Sequence, residues 1–174
     1  MRKYFPIILL AFTSLFVYSC NNDRNDEVPV QQVVNSTAYD LSPNFTKVNS
    51  SLYSYGNTFN KPLENSDVVL IYIQTDTASN SPVWRLLPYT FFVNNANNDE
   101  VEYSFDFSKF DIAIYVNATL NLDANSSYYT GKRFRVVVVP ANAGKGVAAP
   151  VDYNNYNEVI KFYGIDESKI KLRN

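Results

Sequence analysis

The sequence predicts an all-β fold, a single antiparallel β-sandwich followed by a short C-terminal helix. Three observations carry this reading. After residue 30 the dominant pattern is period-2 alternation, with runs rich in β-branched and aromatic residues. Those runs are bounded by Asn, Asp, Ser and Pro, the residues that interrupt strands and make turns. Near the C-terminus the period changes: Tyr156, Val159, Ile160 and Tyr163 fall at i, i+3, i+4 and i+7, a helical stripe.

Taken in order, residues 52–59 alternate as a half-buried strand. Residues 67–75 contain Val68-Val69-Leu70-Ile71-Tyr72-Ile73, apolar on both faces, as a central strand covered on both sides would be. Residues 83–93 are apolar but carry Pro88, which lacks a ladder donor and predicts an edge strand or one broken by a bulge. Residues 94–100 (NNANNDE) form a polar hairpin tip. Val101, Tyr103, Phe105 and Phe107 then make one apolar set, and Phe110, Ile112, Ile114 and Val116 the next. The phase flips at Ser108-Lys109, which predicts a corner or bulge where the chain passes between sheets. Along residues 133–139, Phe134, Val136 and Val138 are expected inward, with Arg133, Arg135 and Val137 outward. Residues 141–150 read as a loop. A helix over about 155–163 follows, with Asn155 and Glu158 at capping-box spacing and Gly164 placed as its terminator. Residues 166–169 can open a final turn. About seven short strands punctuated by Pro and Asn indicate a sandwich of immunoglobulin-like type. No Cys pair marks a true immunoglobulin domain, and a barrel is the alternative.

Composition narrows the function. The chain of 174 residues suits one domain of about 100–200 residues. A formal charge of −2, from 15 basic and 17 acidic residues, supplies no polycation for nucleic acid. There is no His, so the commonest general base and transition-metal ligand are missing. The single Cys excludes an internal disulfide and a thiolate zinc site.

That Cys has a telling position. Arg2 and Lys3 precede an apolar stretch over residues 4–18 that has the length of a signal-peptide core and is too short to span a bilayer. The stretch ends in Val17-Tyr18-Ser19-Cys20. Here the chain resembles a bacterial lipoprotein precursor: an aliphatic residue three before Cys, a small residue one before, then Cys. The resemblance implies cleavage after residue 19 and a diacylglyceryl thioether on the Cys20 sulfur. It also implies acylation of the new amino group. Several acyl chains, at about 0.8 kcal/mol per buried methylene, anchor stably without a spanning helix. Residues 20–29 then serve as lipidated Cys and flexible tether, and 30–174 as the sandwich domain. Asp23, Asp26 and Glu27 resemble the acidic export signal of some Bacteroidetes surface lipoproteins. A solvated spacer explains them equally well. The style of the mature domain is similar to small envelope lipoproteins of that group.

Candidate chemistry is sparse. Glu102 and Asp106 share a strand face about 13 Å apart at 3.3 Å per residue, too far for a glycosidase pair without a partner from another strand. Asn- and Asp-rich loop tips lack the ordered spacing of a calcium loop. Gly144-Lys145-Gly146 lacks the full phosphate-loop pattern. Without His, only a Ser–Lys hydrolase is conceivable, and no motif frames one. No catalytic residue, metal ligand or cofactor is therefore assigned. Aromatics are the remaining class. Trp84, Tyr128 and Tyr129 are candidate ligand-binding residues, since sugar rings stack on aromatic faces while Asn and Asp bind hydroxyls. Core packing is the plainer use of such rings. Asp76-Thr77-Ala78 resembles a periplasmic O-glycosylation acceptor of the Bacteroidetes, which makes Thr77 a candidate modification site. The Asn-x-Ser/Thr sequons reflect richness in those residues.

The expectation is a non-catalytic, outer-membrane lipoprotein anchored through Cys20, its sandwich serving binding or envelope assembly. The alternatives are a surface glycan-binding module that uses exposed aromatics and, third, a carboxylate-dependent hydrolase.

Overall fold

A computed structural model describes residues 36–140 and 151–173. The lipobox, the tether and the loop at 141–150 lie outside the described residues. The chain forms β1 (Thr37–Leu41), β2 (Thr46–Asn49), β3 (Leu52–Thr58), β4 (Val68–Ala78), β5 (Ser81–Leu86) and β6 (Tyr89–Phe92). It continues through β7 (Glu100–Phe107), β8 (Asp111–Ala118), β9 (Phe134–Val139), α1 (Tyr156–Phe162) and β10 (Lys171–Arg173). Short 3-10 turns cover Leu122–Ala124, Ser126–Tyr128 and Glu167–Lys169.

Two five-stranded sheets result, ordered β10-β1-β9-β4-β5 and β2-β3-β8-β7-β6. Every pairing is antiparallel except β1 with β10. The all-β sandwich with a short C-terminal helix is thus the observed architecture. Between the sheets lie Val69, Ile71 and Ile73 of β4 and Phe134, Val136 and Val138 of β9. Facing them are Tyr53 of β3, Val101 and Tyr103 of β7, and Ile112, Ile114 and Val116 of β8. Each fully buried aliphatic side chain of this set stabilises by about 1.5–3 kcal/mol.

A second layer covers the outer face of the first sheet. Leu70, Tyr72, Val137, Val139 and Trp84 pack there against Tyr156, Val159 and Tyr163 from the α1 segment. This explains why β4 and β9 are apolar on both faces: β9 sits between β1 and β4, with core on one side and the helix on the other. Asn155 caps α1, its side chain accepting from the Glu158 amide and donating to the Glu158 carboxylate at 2.8 Å. Gly164, at φ +61°, ends it. The amides of Ile165 and Gly164 return to the carbonyls of Ile160 (2.9 Å) and Lys161 (3.3 Å), the paired bonds of a glycine-terminated helix.

Three expectations change. Ser108-Lys109 is not a passage between sheets. β7 and β8 are hairpin partners in one sheet, with Phe107 opposite Ile112, and the Ser108 amide donates to the Asp111 carbonyl at 2.9 Å. A two-residue loop makes paired positions differ by an odd number, so the apolar phase flips although the face does not. Residues 83–93 keep their expected edge character, but the interruption is not a bulge: the segment divides at Leu87-Pro88, a cis peptide bond, into β5 and β6. Each is the edge strand of a different sheet, so the chain crosses between sheets here, as it also does from β1 to β2, β3 to β4 and β8 to β9. Finally, Arg135 points outward from the inter-sheet core but is only 5% exposed, because α1 covers it.

Candidate functional site

The polar chemistry of the fold concentrates under and beside α1. On the outer face of the first sheet, register places Asp40 of β1, Arg135 of β9 and Tyr72 of β4 in one row. Asp40 is 2% exposed. Its carboxylate accepts from Arg135 Nε at 2.7 Å and Nη2 at 3.1 Å, and also from the Arg133 guanidinium. Arg135 Nη1 reaches Glu167 at 2.7 Å and the Tyr156 hydroxyl. Tyr156 in turn donates to Glu167 at 2.6 Å. The Arg135 guanidinium lies 4.4 Å from the centre of the Trp84 ring, a cation–π contact.

Burial alone would lower the Arg135 pKa. Hydrogen bonds with Asp40 and Tyr156, and the Asp40 charge, outweigh it, so the guanidinium is held charged more firmly than usual. Burial raises the Tyr156 hydroxyl, the bond to Glu167 adds to this, and Arg135 opposes it. Tyr72 is raised mainly by burial. These shifts move the tyrosines away from neutral pH, which suits a structural network that ties the C-terminal segment to β1 and β9.

Beside this network a cleft of about 460 Å³ opens between β5 and the start of α1. Residues 82–85 form one wall, with Asp152 and residues 154–157 opposite. Trp84 and Tyr156 belong to both cleft and network, so rings held from beneath border the open space. The buried indole N–H of Trp84 has no hydrogen-bond partner among the described residues. Leaving such a donor unpaired costs about 1–3 kcal/mol. A second cleft, of about 350 Å³, is lined by residues 74–77 and 131–133. Among the described residues, each cleft is lined by a single carboxylate, Asp152 or Asp76. Among the described residues, no three His, Cys, Asp or Glu side chains gather as a metal site.

The aromatic candidates do not form one platform. Trp84 is 6% exposed, in the layer beneath α1. Tyr128 and Tyr129 are half-buried against the inter-sheet core. Tyr129 stacks on Tyr53 with ring centres 4.0 Å apart. The Tyr128 carbonyl accepts from the Tyr103 hydroxyl at 2.7 Å, and its ring tilts against Phe91. The exposed aromatics are others, with Phe92 at 71% and Phe110 at 58%. Thr77 is exposed near the end of β4, where its hydroxyl accepts from Gln74 at 3.1 Å and its amide donates to Asp76 at 2.7 Å. It lines the second cleft.

Sequence reasoning missed Asp40, Arg135 and Glu167. A partial signal existed: an arginine inside an otherwise apolar strand requires a buried partner if a helix covers that strand. No family model, curated protein or solved structure matches the chain.

Proposed function

We propose that the protein is a cell-envelope lipoprotein, anchored to the outer membrane by lipid on Cys20, whose β-sandwich acts as a non-catalytic binding or assembly module. One observation carries this reading: the chain's only Cys ends an apolar segment of signal-peptide length, behind Val17 and Ser19. Residues 21–29 are polar and supply a tether to the domain.

The test is metabolic labelling of expressing cells with an alkyne fatty acid, followed by membrane fractionation. The expected result is a labelled protein in the membrane pellet. Cys20→Ala is expected to lose the label and leave the pellet. A wild-type chain without label, or a Cys20→Ala chain that keeps it, would overturn the anchor.

A further inference from the structure

We propose that the cleft between β5 and α1 binds a neutral saccharide. The inference rests on the binding reading above and assigns that role to one place. Two independent observations meet there. The first is the space itself, within the range of about 300–1,000 Å³ typical of small-molecule sites. The second is a set of hydrogen-bonding groups on its lining that stay unengaged among the described residues: the side chains of Arg85 and Asn157 and one carboxylate oxygen of Asp152.

The rim selects the ligand class. Among the described residues, Asp152 and Arg85 are the charged ones that line it, one of each sign, so the rim favours no net charge. Asn154, Asn155 and Asn157 make the rest amide-rich, and an apolar ligand would desolvate those amides without replacing their hydrogen bonds. Asn155 is committed to Glu158 as the helix cap, and Asn154 donates to Asp152 Oδ1 at 3.1 Å. Asn157 and Arg85 make no side-chain hydrogen bond among the described residues, and Asp152 keeps a second carboxylate oxygen. Carbonyl, amide, carboxylate and guanidinium groups together match hydroxyls that both donate and accept. Pro82 and Val83 supply accessible apolar surface on which the C–H face of a sugar ring packs, with the largely buried Trp84 and Tyr156 behind them. The walls are a paired strand and a capped helix segment, so little ordering cost remains for binding.

Trp84 is the only tryptophan, so emission excited at the red edge, where tyrosine absorbs little, reads the indole that lines this cleft. The full chain, purified from membranes in a sugar-free detergent, would be titrated with glucose, galactose, mannose, N-acetylglucosamine and their short oligomers at millimolar concentrations. The expected result is a saturable emission change with at least one of them. Asn157→Ala and Arg85→Ala are each expected to weaken that response by about tenfold, the effect of one lost hydrogen bond, at unchanged melting temperature. Thr77→Val, in the other cleft, is expected to leave it intact. No emission change with any of these sugars, or a change insensitive to both cleft variants, would overturn the site. Cys20→Ala should bind as the parent does, so loss of the anchor and failure of the cleft are read separately.

Discussion

At the residue scale, the pair of Asp40 and Arg135 shows what covers what. Both are buried, and their strands are adjacent, so each is the other's compensation for leaving water. Removing one partner of such a pair costs about 3–5 kcal/mol, because the survivor keeps its desolvation without its Coulomb partner. Asp40→Asn is therefore expected to destabilise the domain by about that amount in urea unfolding. The double variant Asp40→Leu/Arg135→Met is expected to be less destabilised than Asp40→Asn, since no buried charge is stranded. A double variant that is no more stable than the single one would show that Glu167 and Tyr156, not Asp40, carry Arg135.

Among the elements, α1 is short and depends on its ends. A helix of seven residues is far below the roughly 12–15 at which an isolated helix becomes marginal, so capping and packing hold it. Val159 and Tyr156 bury its inner stripe against β4 and β9, and Ile160 and Ile165 close its C-terminal end. Gly164 permits that closure through its left-handed backbone. A Cβ there would meet nothing within 4 Å, so any penalty is conformational rather than steric crowding by neighbours. Gly164→Ala should cost about 1 kcal/mol, and Gly164→Asn less, in thermal unfolding. Equal losses for both would point to a packing role instead.

For the whole molecule, the titration behaviour is set by tyrosines and carboxylates, because the chain has no His. Burial pushes Tyr39 up to about 12, with Arg173 opposing. Tyr72, Tyr103, Tyr156 and Tyr163 are raised as well, chiefly by burial. An unfolded Tyr ionises near about 10, so the stability they contribute is complete below that pH and is lost as pH rises toward their folded values. Asp99 is held below the usual carboxylate range by Asn95 and Thr119, Asp123 by Lys47 and Tyr53, and Asp166 by Ser168 and Lys169. Their contribution is present above about pH 3.9 and is lost as pH falls through the folded values. The melting temperature is expected to be flat from about pH 5 to about 9. Above that it should fall together with the appearance of tyrosinate absorbance. A drop centred near neutral pH would contradict this assignment.

Legibility in the sequence followed the range of the interactions. Alternation along residues 52–58 and 101–107, and the stripe Tyr156-Val159-Ile160-Tyr163 with its Asn155 cap and Gly164 stop, are local patterns, and the elements formed where those patterns lie. The resemblance of Val17-Tyr18-Ser19-Cys20 to a lipobox is likewise carried by neighbouring residues alone. β1, β2 and β10 are short and carry too few residues to show a period; they exist because a neighbouring strand offers its edge. The parity flip at Ser108-Lys109 had two geometrical solutions, and only the pairing of β7 with β8 chose between them. Trp84 was readable as aromatic, but its place beside an Asn-rich cleft came from β5 meeting a segment some seventy residues later in the chain. By itself the sequence determined the all-β class, the terminal helix and the position of the lone Cys at the end of an apolar stretch, because periodicity and spacing are properties of neighbouring residues. The tertiary structure alone decided which strands share a sheet, that Arg135 is buried with Asp40, and where the cleft opens. Those depend on contacts between distant segments, which hydrophobic patterning permits in several arrangements and only packing selects.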